Sequence, residues 1–277
     1  MANVFITGCS SGFGLLTALR FARAGDRVVA TMRTPAKAPA ELTGPIEKER
    51  LPITLGRLDV CDRGSVEAAV CAAGDIDVLV NNAGIELRSS IEDASDTEVQ
   101  QQFDTNVFGL LRVTRAVLPQ MRARKRGTIV NLSSIAGLVA RPFGGLYSAT
   151  KHAIEAITES LHFEASPLGI RVVLIEPGVY ATRLLDNAFT AERFGPSSPY
   201  WSVSERFEEA LARLRDGTGG IQDAQEVADL IHTAVHDPQP KLRYLAGRDA
   251  HMIATAHKQM SFEQYEQAMR QTMGWSD

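Results

Sequence analysis

Short runs of β-branched and apolar residues alternate along the chain with stretches whose apolar positions recur every three to four residues, the pattern of a parallel sheet covered by helices. The runs predict strands at 3–7, 27–32, 53–57, 77–81, 127–132, 171–176 and 243–246. Helical spacing predicts helices near 13–24, 62–72, 97–124, 146–166 and 223–236. Residues 34–50 read as a connection rich in proline, alanine and charge. A second interruption, about 183–220, carries Pro196, Pro199 and Gly217-Thr218-Gly219-Gly220 around an amphipathic stretch. It is the expected lid, because loops at the carboxyl ends of parallel strands carry the ligands in such sheets. Past the last strand, Phe262, Tyr265, Met269 and Met273 stand at helical spacing. This extension, about 248–277, is expected to cover a pocket or to pack against another subunit.

Chemistry enters through Tyr147-Ser148-Ala149-Thr150-Lys151, with Ser134 thirteen residues upstream. The spacing of Ala153, Ile154, Ile157 and Leu161 makes this segment helical, which places Tyr147 and Lys151 one turn apart on one face. A tyrosine has a pKa of roughly 10, and each unit of depression needs about 1.4 kcal/mol of preference for the phenolate. A neighbouring ammonium supplies that kind of preference, so Tyr147 is a candidate proton exchanger. A lone pair of this spacing is more commonly a lysine snorkelling beside a half-buried ring. Near the start, Val4-Phe5-Ile6-Thr7 reads as a buried strand, followed by Gly8-Cys9-Ser10-Ser11-Gly12-Phe13-Gly14 and a helical pattern through Leu15, Leu19 and Phe21. Such a strand, glycine turn and helix lets the backbone approach a pyrophosphate and aims a helix N-terminus at it.

Taken together, Thr7-Gly8-x-x-x-Gly12-x-Gly14, Asn81-Asn82-Ala83-Gly84, Asn106, Ser134, Tyr147-x-x-x-Lys151 and Pro177-Gly178 with Thr182 stand in the order and spacing of the short-chain dehydrogenase/reductase family. The chain resembles that family from residue 3 to about 247. Within it, Phe5-Ile6-Thr7-Gly8-Cys9-Ser10-Ser11-Gly12 and Ala30-Thr31-Met32-Arg33 are most similar to the branch of 17β-hydroxysteroid and retinol dehydrogenases. The resemblance implies an α/β fold of Rossmann type, a doubly wound parallel sheet of about seven strands with helices on both faces in one domain. Residues 1–182 would form its dinucleotide-binding core. It also implies a catalytic tetrad. Tyr147 is the acid in reduction and the base in oxidation, Ser134 holds the substrate oxygen, and Lys151 tunes Tyr147 and holds the nicotinamide ribose. Asn106 supports a proton-relay water. The implied cofactor shell comprises Gly8, Ser10, Ser11, Gly12, Phe13 and Gly14 of the turn, Asp59 at the adenine, Asn81 beside the adenosine ribose, and Ala83 and Gly84. Pro177, Gly178 and Val179 border the nicotinamide, and Thr182 takes its carboxamide.

Cofactor choice is read at the end of the second predicted strand, where an acidic residue would select NAD(H) by binding the ribose 2′-hydroxyl. Here stand Met32, Arg33 and, further on, Lys37, and a guanidinium suits a 2′-phosphate. NADP(H) is therefore expected over NAD(H), although NAD(H) remains possible. Tyr180, Phe189, Phe194, Tyr200, Trp201 and Phe207 suit a hydrophobic or aromatic alcohol or carbonyl substrate, or else anchor the lid to the body.

Composition narrows the rest. The chain has 277 residues, 44% of them hydrophobic, enough for one α/β domain. A formal net charge of −4 offers nucleic acid no electrostatic footing. The three cysteines, Cys9, Cys61 and Cys71, have no zinc-binding spacing, and the histidines form no H-E-x-x-H array, so no catalytic metal is expected. The first predicted strand begins almost immediately after Met1 and no apolar run reaches the roughly 18 residues of a membrane span, which predicts a soluble cytoplasmic protein. By resemblance, the apolar faces of 97–124 and 146–166 pair across a twofold axis, giving a homodimer or homotetramer. The main alternative is a dinucleotide-binding redox sensor without turnover, which the intact Asn106, Ser134, Tyr147 and Lys151 set argues against. A related enzyme acting on nucleotide-sugars would need a larger C-terminal region than this chain has.

Overall fold

The computed structural model describes residues 1–180, 188–217 and 222–275. Seven parallel strands form the central sheet: β1 (Asn3–Ile6), β2 (Arg27–Met32), β3 (Ile53–Arg57), β4 (Val78–Asn81), β6 (Gly127–Leu132), β7 (Ile170–Pro177) and β9 (Arg243–Ala246). Their order across the sheet is β3-β2-β1-β4-β6-β7-β9. The winding thus reverses between β1 and β4, and the crevice at the strands' carboxyl ends there is where such sheets bind ligands. Two short strands, β5 (Leu87–Arg88) and β8 (Phe189–Thr190), pair separately.

Side chains alternate between two apolar layers along each central strand, as the period-2 pleat requires. Val4 and Ile6 of β1, Val78 and Val80 of β4, and Val173 and Ile175 of β7 join one layer with α1 (Gly12–Arg23) and α8 (Gln225–His236). Phe5, Leu79, Ile129 and Val172 point the other way, onto α3 (Arg63–Ala73), α5 (Leu110–Arg124) and α6 (Gly145–Ala165). A strand buried on both faces reads as an unbroken apolar run, which is why these strands are legible in sequence.

Two expectations need correction. Residues 34–50 are not merely a connection, because α2 (Ala40–Glu49) forms there despite Gly44 and Pro45. Leu42 is fully buried in the layer beneath β2, and Arg23 of α1 pairs with Glu49 at 2.7 Å. Burying a leucine contributes about 1.5–3 kcal/mol, which offsets much of the roughly 3 kcal/mol that an interior proline costs a helix. The helix expected over 97–124 is α4 (Asp96–Phe103) and α5 joined by a π-helical turn, Asp104–Gly109. The extra residue in that turn rotates Asn106 inward, and π turns of this kind concentrate at functional sites.

Within the expected lid, α7 (Trp201–Gly217) forms the amphipathic stretch, and the extension folds as α9 (Arg248–Gln259) and α10 (Phe262–Met273). No helix among the described residues is long and apolar enough to cross a membrane.

Candidate active site

The glycine turn after β1 is held by close backbone approach. Gly8 has φ +74°, and a Cβ there would lie 2.8 Å from the Ala83 Cα. A Cβ on Gly14 would lie 2.4 Å from Asn82 Nδ2 and 2.5 Å from the Gly8 carbonyl oxygen. Asn82 makes the tie: its Nδ2 donates to the Thr7 and Gly8 carbonyls at 2.8 and 3.0 Å, while Thr7 Oγ1 accepts from the backbone N–H groups of Asn82 and Ala83. Asn81 points away from the turn. Its Nδ2 donates to Thr114 Oγ1 and Asn131 Oδ1, both at 2.9 Å, and Asn131 continues to Thr158 Oγ1 on α6. The side chain expected beside a ribose is therefore a bridge between α5, β4 and β6, and its neighbour Asn82 faces the turn.

A cleft of about 430 Å³ lies over this turn. Gly8, Ser10, Ser11, Gly12 and Phe13 line one side, with Met32, Arg33 and Asp59 beyond the ends of β2 and β3, and Ala83, Gly84, Tyr147, Lys151 and Pro177 opposite. Arg33 is exposed. Gly14 supports the turn from behind rather than lining the cleft. The cradle accepts a dinucleotide: its walls are backbone and small residues, and the N-terminus of α1 faces the space.

Tyr147 lies at the junction of this cleft and a second cavity of about 480 Å³. Gly178 and Val179 line the second cavity, and Asp249 of α9 fixes their turn by accepting from Val179 N at 2.6 Å. A Cβ on Gly178 would fall 2.1 Å from Asp249 Oδ1, so a side chain there would displace the carboxylate that holds the turn. Thr182 lies outside the described residues. The cavity walls are largely apolar: Val139 with Phe207 and Leu211 of α7, and Met252, Met260, Met269 and Met273 with Tyr265 from the extension. The extension thus covers the pocket. Of the aromatic residues singled out in the sequence, Tyr180 and Phe207 reach the cavity. Phe189, Phe194, Tyr200 and Trp201 instead pack with Leu87 and Ala191, anchoring this segment to the body.

The four expected catalytic residues come from three elements: Tyr147 and Lys151 from α6, Ser134 from the turn after β6, and Asn106 from the π turn. Tyr147 and Lys151 are both 6% exposed and share one face of α6, with the Lys151 ammonium 5.5 Å from the centre of the Tyr147 ring. Lys151 Nζ donates to the Leu132 carbonyl at 2.7 Å. Burial brings the Lys151 pKa down to about 8, against the opposing charges of Glu155 and Glu86. Ser134, just past β6, accepts from Ala136 N at 3.2 Å and donates to the Pro177 carbonyl at 3.3 Å, so it caps the following turn while its hydroxyl faces the cavity. Ser133 does not cap: its Oγ is buried with no hydrogen-bond partner among the described residues. Asn106 accepts from Ile85 N and donates to Ile85 O, both at 2.9 Å, and donates to Thr150 Oγ1 at 3.1 Å. It clamps the 82–85 loop to α6.

The expected depression of Tyr147 by Lys151 is not what these groups produce. Burial pushes the Tyr147 phenol above its ordinary value, the Glu86 carboxylate adds to the rise, and Arg141 and Ser134 oppose it. Glu86 and Arg141 both line this second cavity and form an ion pair that sequence reasoning missed. The available signal was weak: one arginine after the apolar run Leu138-Val139-Ala140, and one glutamate just past Gly84. Gln102, also missed, is fully buried and joins Ile85 O to Leu87 N.

The same arrangement has known relatives. Residues 2–193 match the family described as short chain dehydrogenase. The chain is 39% identical over 249 residues to the uncharacterized oxidoreductase YusZ of Bacillus subtilis, covering 88% of each. It is 38% identical over 197 residues to a 3-ketodihydrosphingosine reductase of Bacteroides thetaiotaomicron, covering 71% of each. With retinol dehydrogenase 8 of Bos taurus it shares 38% over 251 residues, 87% of this chain and 80% of the relative. A short-chain dehydrogenase structure from Streptomyces avermitilis superposes with a TM-score of 0.80 at 31% identity, over 100% of this chain and 99% of the other. ElxO with NADP bound (TM-score 0.72, 27% identity, 89% and 96% covered) and a Burkholderia phymatum enzyme in complex with NAD (0.76, 26%, 96% and 94%) share the fold.

Proposed function

Since the chain belongs to the short-chain dehydrogenase/reductase family and is an NAD(P)-dependent oxidoreductase, we propose that it interconverts a hydrophobic secondary alcohol and its carbonyl compound with NADP(H) as the preferred cofactor. One observation carries the reading: Tyr147 lines both the apolar cavity and the dinucleotide cleft where Phe13, Ser133 and Pro177 also border the two, with Ser134 on the cavity side and Lys151 on the cleft side.

The dinucleotide, when bound along the glycine turn, supplies or accepts the hydride. The chain's own residues manage the oxygen and its proton. In reduction, the Tyr147 hydroxyl protonates the carbonyl oxygen, and in oxidation the phenolate takes the alcohol proton. Burial and Glu86 raise the phenol's pKa and so keep it protonated, the form that reduction requires. The Ser134 hydroxyl donates to the same oxygen and stabilises charge developing there. Lys151 holds a ribose hydroxyl, and Asn106 fixes the loop and helix on either side. Arg33 reads the 2′-phosphate. The methionine-rich wall offers a polarizable, adaptable surface to a bulky apolar substrate, in keeping with the names of the retinol and ketosphingosine relatives.

The test is a screen of hydrophobic ketones, aldehydes and alcohols with both nicotinamide cofactors, followed by absorbance of the reduced cofactor. Turnover is expected with NADPH and an apolar carbonyl. Tyr147→Phe should abolish it while leaving NADPH binding by fluorescence intact. A variant that turns over like wild type overturns the assignment, and a wild type that binds NADPH but reduces nothing across the panel points to a dinucleotide sensor.

A further inference from the structure

At the amino-terminal edge of the sheet, opposite the active site, three potential metal ligands converge from distant parts of the chain. Asp26 immediately precedes β2, and His232 and His236 occupy successive turns at the end of α8. One ligand atom from each lies within 4.8 Å of the others. The imidazoles stack with centroids 4.2 Å apart, and Phe21 supports both from below, at 5.0 and 5.9 Å.

The hydrogen bonding leaves these groups short of a positive partner. His236 Nδ1 is 2.8 Å from the His232 carbonyl oxygen, which can only accept, so Nδ1 carries a proton and Nε2 of the neutral ring presents a lone pair. That Nε2 lies 3.7 Å from Asp26 Oδ2. Asp26 is 4% exposed; its Oδ1 accepts from Ala2 N at 2.7 Å, but its Oδ2 is buried with no hydrogen-bond partner among the described residues. His232 Nε2 is likewise buried without one. With His232 in the tautomer that leaves Nε2 unprotonated, three lone pairs would face one another, and a cation between them would turn that repulsion into attraction.

We infer that Asp26, His232 and His236 form a three-ligand site for a divalent ion of the zinc class. Two imidazoles and a carboxylate suit zinc, nickel or copper rather than magnesium or calcium, which prefer all-oxygen shells. Tetrahedral bonds of about 2.0–2.2 Å set ligand atoms roughly 3.3–3.6 Å apart. The 3.7 Å contact is close to that, and small side-chain rotations bring the third ligand in. The Nδ1–H bond of His236 to a backbone carbonyl is the outer contact that metal-binding histidines ordinarily make. His236 is 46% exposed on its side chain, which leaves a fourth position for water. The nearby cation Arg20 is paired with Asp229 at 2.7 Å. The ion would staple α8 to the turn before β2, far from the carboxyl ends that carry Gly8, Ser134 and Pro177. It therefore acts on stability and leaves the chemistry unchanged.

The experiment uses tag-free, chelator-treated full-length protein titrated with Zn²⁺, with Mg²⁺ as the control and Co²⁺ as a spectroscopic probe. One equivalent of Zn²⁺ should bind and raise Tm by several degrees, Mg²⁺ should do neither, and Co²⁺ should develop the visible bands of a tetrahedral site. His236→Gln alters an exposed side chain and should keep the fold, yet weaken Zn²⁺ binding at least about tenfold. Asp26→Asn should do the same, and both variants should keep the wild-type kcat. Absence of saturable one-to-one uptake, or uptake and cobalt bands unchanged in His236→Gln, overturns the inference.

Discussion

Glu86 and Arg141 form an ion pair in the wall of the apolar cavity beside Tyr147 and act on it with opposite sign, the carboxylate raising the phenol's pKa and the guanidinium lowering it. Glu86 is 5% exposed and Arg141 is its ion-pair partner. A buried charge in that position is costly to leave unpaired, so each residue constrains the other. The pair is thus both a polar feature of an apolar pocket and an electrostatic control on the Tyr147 phenol.

The pH dependence of oxidation reports this control. If Tyr147 is the base that we propose, it acts in that direction as phenolate, and kcat/KM should rise with pH through its pKa. Glu86→Gln removes a negative charge and should move the acidic limb to lower pH, whereas Arg141→Leu should move it to higher pH. Identical profiles in wild type and both variants would mean that the pair does not reach the phenol.

Lys151 should be a stability cost retained for function. Its folded pKa of about 8 lies below the ordinary 10.5. The unfolded chain therefore holds more protons between those values, so Lys151's contribution to stability improves as pH rises through that window, and below pH 8 the buried ammonium carries its full penalty. At about 1.4 kcal/mol per unit, the penalty is on the order of 3 kcal/mol, offset in part by the bond to the Leu132 carbonyl. Lys151→Met should raise Tm by several degrees at pH 7 and abolish turnover. Calorimetry should show the advantage shrinking above pH 8, and a variant less stable than wild type at pH 7 would contradict the expectation.

Selection of NADP(H) should rest on Arg33. Comparing kcat/KM for the two cofactors in wild type and Arg33→Ala, the variant should lose roughly 1.5–3 kcal/mol of preference for NADP(H), the worth of a charge-assisted contact to phosphate. Equal use of both cofactors by wild type would show that Met32 and Arg33 do not discriminate.

Assembly should depend on the outer face of α6. Phe163 is 76% exposed there, and Phe108 in the π turn is 47% exposed, an apolar area that a twofold pairing of α5 and α6 would cover. Phe163→Glu should shift sedimentation from oligomer to monomer with little change in Tm. A wild type that is already monomeric at micromolar concentration would refute the pairing.

Much of this protein was legible in sequence because its signals are short-range. Strands buried on both faces read as apolar runs, and the glycine turn and the one-turn separation of Tyr147 from Lys151 are fixed by backbone geometry over a few residues. Other features depend on where distant segments meet. Nothing local distinguishes Asn81, which bridges buried elements, from Asn82, which ties the turn, until the sheet decides which face each occupies. The helix over Ala40–Glu49 forms through the docking of Leu42, against the local preference of Gly44 and Pro45. The inward rotation of Asn106 belongs to a π turn inside an otherwise helical pattern. Glu86 meets Arg141 and Asp26 meets His232 only after the chain has folded. Periodicity assigns a residue to a face of its own element, but the partner across that face, and hence the charge a buried group must answer, is set by tertiary packing.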